Sequence, residues 1–509
     1  MKLTKSLFLA FAGLGLFACS NEDNVPSTDN SHNGTFLTLN LVGTENGTSR
    51  TSPGDQGIDD GTPAESTITS AMVILVKKGV VQSTATVSNF IKTANGMETY
   101  PIEASVGEYY VYVIANPGSL SVSAGDNITT LQKTISLSGD FPTASNFLMF
   151  SECNGTDKTG GQAITVSAEN DYDNPAKTAS PIKLDRLAAK ITYTAESVNI
   201  TAAQGQLTGL TKITFNGFNL VNGIKDFYLQ QHWSAAAPVT DIEDPTPAPY
   251  VNTLLTPTVV NNAEADFYNR WDDFRTITKE DNGSYTAAID LKKGTYGAGP
   301  LYCMENNSGS TKDNCFATGS DLNGNTTGVI FKATAEVTGS DGSAGANCFY
   351  AYSGEYFASL QAVQAKYPGV FDDKNDGTNA EAELAAAQTE LTAAKAGTAD
   401  EFATVKTISD FRVKYNIHVY EDGVMYYTHY IEDQNYTATN DGQQVKYQSV
   451  MRNTIYGLTV NSVKNIGDDI PGGWNPDTDP EDPTTPKTYL VVECQVNPWV
   501  LSNYDVDLQ

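Results

Sequence analysis

Apolar residues in this chain recur mainly at every second position or in short unbroken runs, and only twice at helical spacing. Residues 35–42 (TFLTLNLV) place Leu37, Leu39 and Leu41 on one face, the period-two pattern of a strand with one buried side. Residues 70–76 (SAMVILV) form an apolar run of strand length. Residues 108–115 (EYYVYVIA) are aromatic and β-branched and stop at Asn116-Pro117-Gly118, a turn signal. A further short strand is predicted at 146–150. After a polar stretch at 171–180, residues 182–193 (IKLDRLAAKITY) open a second region, with strands predicted at 212–220, 287–291, 329–337, 415–420, 425–431 and 454–463. Asp422-Gly423 between apolar runs predicts a hairpin. Helices are predicted at 354–367, where Leu360, Val363 and Tyr367 share a side, and at 380–395, rich in Ala, Glu, Leu and Gln.

The chain ends differently. Residues 467–487 are spaced by prolines among acidic residues, a solvated linker composition. Beyond it Leu490, Val492, Cys494 and Val496 alternate with other residues, and after Pro498 so do Tyr504, Val506 and Leu508. A strand on a tether needs a sheet to join, in its own domain or in a neighbour.

These elements predict a mainly β protein of two β-sandwich domains with a small helical insertion in the second. The divisions expected are 51–180 for the first sandwich, 181–466 for the second with its insertion near 350–405, 467–487 for the linker and 488–509 for the terminal strand. The 509 residues suffice for two to four domains.

Two segments precede these. Residues 1–18 carry Lys2 and Lys5, then an apolar run, then Ala18 before Cys19, as in a secretory signal peptide and too short to span a bilayer. The ending Leu16-Phe17-Ala18-Cys19 resembles a bacterial lipobox, in which the cysteine is acylated. Residues 19–50 would then be a lipid-anchored propeptide. Of the six arginines, Arg50 is the one flanked by Gly, Ser, Thr and Pro, the composition of nickable loops. It reads either as a single accessible cleavage site before Thr51 or as an incidental residue in a linker.

Net charge is −29, of which the first fifty residues contribute −1, because three cations there face four carboxylates. Such a surface disfavours nucleic acid and anionic lipid. With Cys19 acylated, five cysteines remain, at no zinc-site spacing and too sparse for a disulfide framework. Only His32, His232, His418 and His429 are present, and no nucleophile elbow, metalloprotease or phosphate-binding motif occurs. No catalytic residue, cofactor or metal is therefore assigned. Asp372, Asp376, Gly377 and Glu383 fall at calcium-loop spacing, but Lys374 occupies a ligand position. A glycan-binding surface lipoprotein, with Trp233 or Trp271 as a sugar platform, is the alternative reading.

The lipobox at Cys19, the Arg50 site, residues 112–117 (YVIANP), residues 184–191 (LDRLAAKI) and residues 452–458 (RNTIYGL) occur in one order along the chain. In that order they resemble the fimbrillins, major pilus subunits of Bacteroidales bacteria, and most of all the short-fimbria branch. The resemblance covers nearly the whole chain except about 250–410. It implies two transthyretin-like sandwiches and an outer-membrane lipoprotein precursor cut after Arg50 by an arginine-specific protease. It also implies loss of the strand bearing Leu37, Leu39 and Leu41. The resulting groove would be filled by another subunit's terminal segment, here Leu490, Val492, Cys494, Val496, Tyr504, Val506 and Leu508. Implied partners are identical subunits, anchor and tip subunits and surface receptors, in an extracellular fimbrium that supports adhesion.

Overall fold

The computed structural model describes residues 33–43, 59–93, 96–132, 134–136, 146–153, 160–194, 210–234, 250–252, 267–268, 277–279, 285–287, 296–311, 326–338, 348–372, 379–396, 411, 414–440, 443–463, 466–469 and 490–500. The strands of the N-terminal half are β1 (Phe36–Thr38), β2 (Asn40–Gly43), β3 (Asp59–Asp60), β4 (Ala71–Lys77), β5 (Val80–Val87), β6 (Phe90–Thr93), β7 (Gly96–Thr99), β8 (Ile102–Glu103), β9 (Gly107–Ala115), β10 (Thr134–Ser136), β11 (Met149–Ser151), β12 (Gln162–Val166), β13 (Ala176–Lys177), β14 (Ile182–Arg186) and β15 (Ala188–Thr194). One short helix, α1 (Pro63–Ser66), lies between β3 and β4.

A nine-stranded sheet runs β5-β4-β9-β11-β14-β2-β7-β6, with β12 also on β9, and a small sheet runs β13-β1-β8. Their side chains share one apolar core, in which Val73, Leu75, Val111, Val113, Phe150, Ile164 and Leu184 are buried. The unbroken apolar runs of β4 and β9 pair side by side in the interior of the large sheet, where both faces are covered. β9 ends just before Asn116, whose φ is 52°. Its amide donates to Thr67 O and Phe147 O and accepts from Thr69 N–H. One turn residue thus satisfies three backbone groups on two separate segments.

In the C-terminal half Gly328–Val337 lies between Leu210–Val221 and Val424–Tyr430. A five-stranded sheet has the order Leu301–Met304, β15, Thr454–Val463, Leu490–Val500, β3. Phe218, Phe331, Tyr427, Tyr456 and Leu458 are buried in the second core. The helices Leu360–Lys366 and Ala380–Ala396 cover a third cluster built on Phe357, Leu360, Val363, Phe371, Leu391 and Phe411. The architecture is therefore mainly β, with two sandwich cores and a helical insertion.

Three local expectations change. Residues 35–42 are two strands, because the chain passes from the small sheet to the large one at Leu39. The helix expected at 354–367 begins only at Leu360, capped by Ser359 Oγ accepting from Ala362 N–H. Before it, Ser353 and Gly354 both have positive φ (50° and 77°), which turns Phe349–Tyr352 onto Glu355–Phe357 as a hairpin. Asp422 and Gly423 also take positive φ, yet the strands flanking them do not pair. His418–Tyr420 joins Phe349–Tyr352, and Val424–Tyr430 joins Gly328–Val337. A Cβ at Gly423 would sit 2.5 Å from Ala335 O, so that turn is fitted against a neighbouring strand and carries the chain between sheets.

The segments 184–191 and 452–458, far apart in sequence, meet. Arg186 is fully buried and donates to Glu65 O (2.9 Å), Asn453 Oδ1 (3.2 Å) and Ser66 Oγ (3.2 Å). Asn453 Nδ2 donates to Asp185 Oδ1. Arg452 donates to Glu305 (3.3 Å) and to Leu229 O and Tyr228 O. Burial pulls the Arg186 guanidinium pKa down, opposed by the Glu65 and Asp185 carboxylates. Arg186, through Asn453, thus ties residues 184–191 to residues 452–458 by directional hydrogen bonds to a buried charge, which fix the register of the contact.

Candidate functional site

The candidate site is the slot occupied by residues 35–43. β1 lies between β13, parallel, and β8, antiparallel; β2 lies between β14, parallel, and β7, antiparallel. This single segment is thus an interior strand of both sheets. Leu37 and Leu39 are 0% exposed and Leu41 is 1% exposed, as their alternation predicts. Phe36 adds an edge-on contact with Tyr172 at 5.4 Å.

The crossing point at Leu39 is held by one residue. Leu39 N–H donates to Thr99 Oγ1 (3.0 Å), Thr99 N–H donates to Leu39 O (2.9 Å), and Thr38 Oγ1 donates to Thr99 O (2.6 Å). Thr99 therefore supplies the partners that a straight ladder would have given, where the strand bends from one sheet to the other. Gly96 makes the next close approach. A Cβ there would fall 2.2 Å from Leu41 O, so only glycine admits the resident backbone. Nothing in the sequence around Thr99 or Gly96 marks either residue; their roles appear only when β7 is seen beside β2. At the near end Phe36 N–H donates to Asn170 O, and Ala104 N–H to Thr35 O.

Burial of Leu37, Leu39 and Leu41 is worth roughly 1.5–3 kcal/mol each. Withdrawing the segment would break four strand pairings, split the large sheet between β14 and β7, and leave the small sheet without its middle strand. The chemistry of such a slot is strand capture: backbone hydrogen bonding sets affinity and the alternating apolar pockets set register.

The C-terminal strand sits elsewhere. Leu490–Val500 pairs antiparallel with Thr454–Val463 along its length, from Val463↔Leu490 to Thr454↔Pro498. Among the described residues its outer edge meets only β3, at Asp59↔Trp499 and Asp60↔Val500. Leu490, Val492, Cys494 and Val496 are in this strand, on their own half of the chain and not beside β1 or β2. Tyr504, Val506 and Leu508, Cys19, Arg50 and Thr51, and Asp376 and Gly377 lie outside the described residues, as does Trp271. Among the described residues no cluster of His, Cys, Asp or Glu is grouped to hold a metal ion.

Two family models match the chain. The major fimbrial subunit protein (FimA) matches residues 35–186, and the C-terminal region of major fimbrial subunit protein type IV, fimbrillin, matches residues 418–505. The chain belongs to the fimbrillins. The first match begins at the slot-filling segment and ends at Arg186; the second spans the terminal strand. This is a family of structural, non-enzymatic fimbrial subunits. Among solved structures, a fimbrilin (fimA) from Porphyromonas gingivalis W83 is 15% identical, covering 92% of this chain and 98% of that one with a TM-score of 0.44. A putative cell adhesion protein from Parabacteroides distasonis is 15% identical, covering 91% and 100%, TM-score 0.42. The tip fimbrial protein Mfa3 from P. gingivalis, with a C-terminal truncation, is 12% identical, covering 91% and 99%, TM-score 0.35. No curated protein matches.

Proposed function

We propose that this fimbrillin is a stalk subunit that polymerises by exchanging its own N-terminal strand for the terminal strand of another copy. In this reading the precursor is exported, acylated at Cys19 and held at the outer membrane. An arginine-specific protease then cuts between Arg50 and Thr51. The segment bearing Leu37, Leu39 and Leu41 leaves, and the terminal segment of a second subunit, from Leu490 to Leu508, enters the slot. The observation that carries the reading is the interior position of β1 and β2 in two sheets at once. A strand that completes two sheets is the one whose loss leaves the largest demand for a replacement. The contact is head-to-tail and does not close on itself, so it propagates a filament. Anchor and tip subunits would terminate the filament, and receptors on host or bacterial surfaces would be met by the finished extracellular fimbrium.

The experiment is intact mass and N-terminal sequencing of the surface form. A chain beginning at Thr51 in detergent-resistant multimers is expected. A monomer beginning at acylated Cys19 would overturn the reading in favour of a static surface lipoprotein.

A further inference from the structure

The slot-filling strand and the terminal strand are connected by a feature outside both. β2 ends at Gly43, and the next described strand, β3, is the one that pairs with Leu490–Val500. The stretch between the strand that would be lost and the partner of the strand that would be donated is thus residues 44–58, and Arg50 lies within it.

On its other side β3 is anchored at once. Gly61 separates it from Thr62, which caps α1: Glu65 N–H donates to Thr62 Oγ1 (3.3 Å) and Thr62 N–H to Glu65 Oε2 (2.6 Å), a capping box. Glu65 is buried and receives Lys190 Nζ at 3.0 Å and Tyr302 Oη at 2.5 Å. Lys190 is on β15 and Tyr302 is on Leu301–Met304. These are the two strands farthest from β3 in the same five-stranded sheet. Residues 59–66 therefore strap the end of that sheet, from Glu65 at one side to β3 beyond the terminal strand at the other.

We propose that β3 is a clasp holding the C-terminal strand on its own sheet in the uncut chain, and that the cut which frees the slot also loosens the clasp. The inference rests on the strand-exchange reading for its purpose, but not for its existence. Before cleavage, β3 is tied to the body of the protein on both sides, by β2 and by Glu65. After cleavage at Arg50 it lies close to a new chain terminus and keeps only the Glu65 tie. A two-residue pairing near a free end frays more than the same pairing within a loop closed at both ends. Donor and acceptor would then be released by one event, and an uncut precursor would offer neither.

The test is backbone hydrogen exchange across Leu490–Val500 in full-length protein: uncut wild type, wild type cut at Arg50, and uncut Asp59→Pro and Asp60→Pro. Proline removes the N–H that a ladder needs, and in a parallel pair the two residues do not both face the same neighbour, so the two variants serve as each other's control. The expected result is at least tenfold faster exchange near residues 496–500 in one proline variant. A smaller, severalfold rise is expected in the cut wild type, and exchange in β4 and β9 should be unchanged. Equal protection of residues 496–500 in all four samples, with β4 and β9 protected, would overturn the clasp. If a proline variant also loses protection in β4 and β9, the cut wild type decides: a rise confined to residues 490–500 supports the clasp, and none refutes it. Failure of strand exchange would read differently, as a cut chain with faster exchange at residues 496–500 that stays monomeric.

Discussion

The two ends of this chain both contribute strands, yet they are held in opposite ways. Residues 35–43 lie in the interior of two sheets, with partners on either side and three leucines in the core. Leu490–Val500 lies near the edge of one sheet, paired along its length on one side and over two residues on the other. An interior strand leaves only if its neighbours separate, whereas an edge strand leaves by undoing one ladder. The difference teaches which end needs a covalent event. The N-terminal strand is not spontaneously releasable while its chain is uncut, and the C-terminal strand, once β3 no longer clasps it, is held by one ladder.

The largest effect that breaks this comparison is deletion. A chain lacking residues 33–43 throughout synthesis is expected to lose cooperative folding of the N-terminal core, read as a lost thermal transition and exposed hydrophobic surface. Truncation after Lys487 should leave that core intact by hydrogen exchange and abolish multimer formation. Next is Glu65→Ala. Removing one partner of a buried ion pair costs about 3–5 kcal/mol, measured by denaturant titration. Burial raises the Glu65 pKa, but hydrogen bonds from Tyr302, Thr62 N–H and Lys190 outweigh it and hold the carboxyl below its ordinary value of 4.5. A depressed folded pKa stabilises above the unfolded value, so wild-type stability should fall as pH drops below about 4.5. That loss should be smaller in Glu65→Ala.

Leu39→Ala should cost about 2–5 kcal/mol as a core truncation. Gly96→Ala sharpens the comparison further. Its Cβ conflicts with Leu41 O, so it should destabilise the intact chain by about 1–3 kcal/mol and should slow capture of any strand taking the same path. The smallest effect is expected at Lys177, exposed and 2.9 Å from Glu98 across the slot. Lys177→Ala should change stability by no more than about 1 kcal/mol.

Much of this arrangement was legible in the sequence because strands with one buried face advertise themselves by alternation. Leu37, Leu39 and Leu41 are buried as their spacing predicts, and 454–463 and 490–496 read as strands for the same reason. The break at Leu39 was not legible. It depends on Thr99, a polar residue in a polar stretch whose hydroxyl matters only through a neighbour 60 positions away. Nor did the Asp422-Gly423 signal specify its outcome. Positive φ fixed a turn but not which strands flanked it, since those pairings are set by Phe349–Tyr352 and Gly328–Val337. The meeting of Arg186 with Asn453, and of Glu65 with Lys190 and Tyr302, is likewise tertiary: single buried charges leave no periodic trace.

The central claim is that a terminal strand from one copy replaces residues 35–43 in another. Lys177 on β13 and Lys183 on β14 border the slot, and Glu493, Asp505 and Asp507 belong to the terminal segment. Isotopically light and heavy protein should therefore be mixed, cut at Arg50, allowed to multimerise and treated with a zero-length carbodiimide cross-linker. The account predicts mixed light–heavy cross-links joining Lys177 or Lys183 to those carboxylates. Multimers in which these carboxylates link only within their own copy would contradict it.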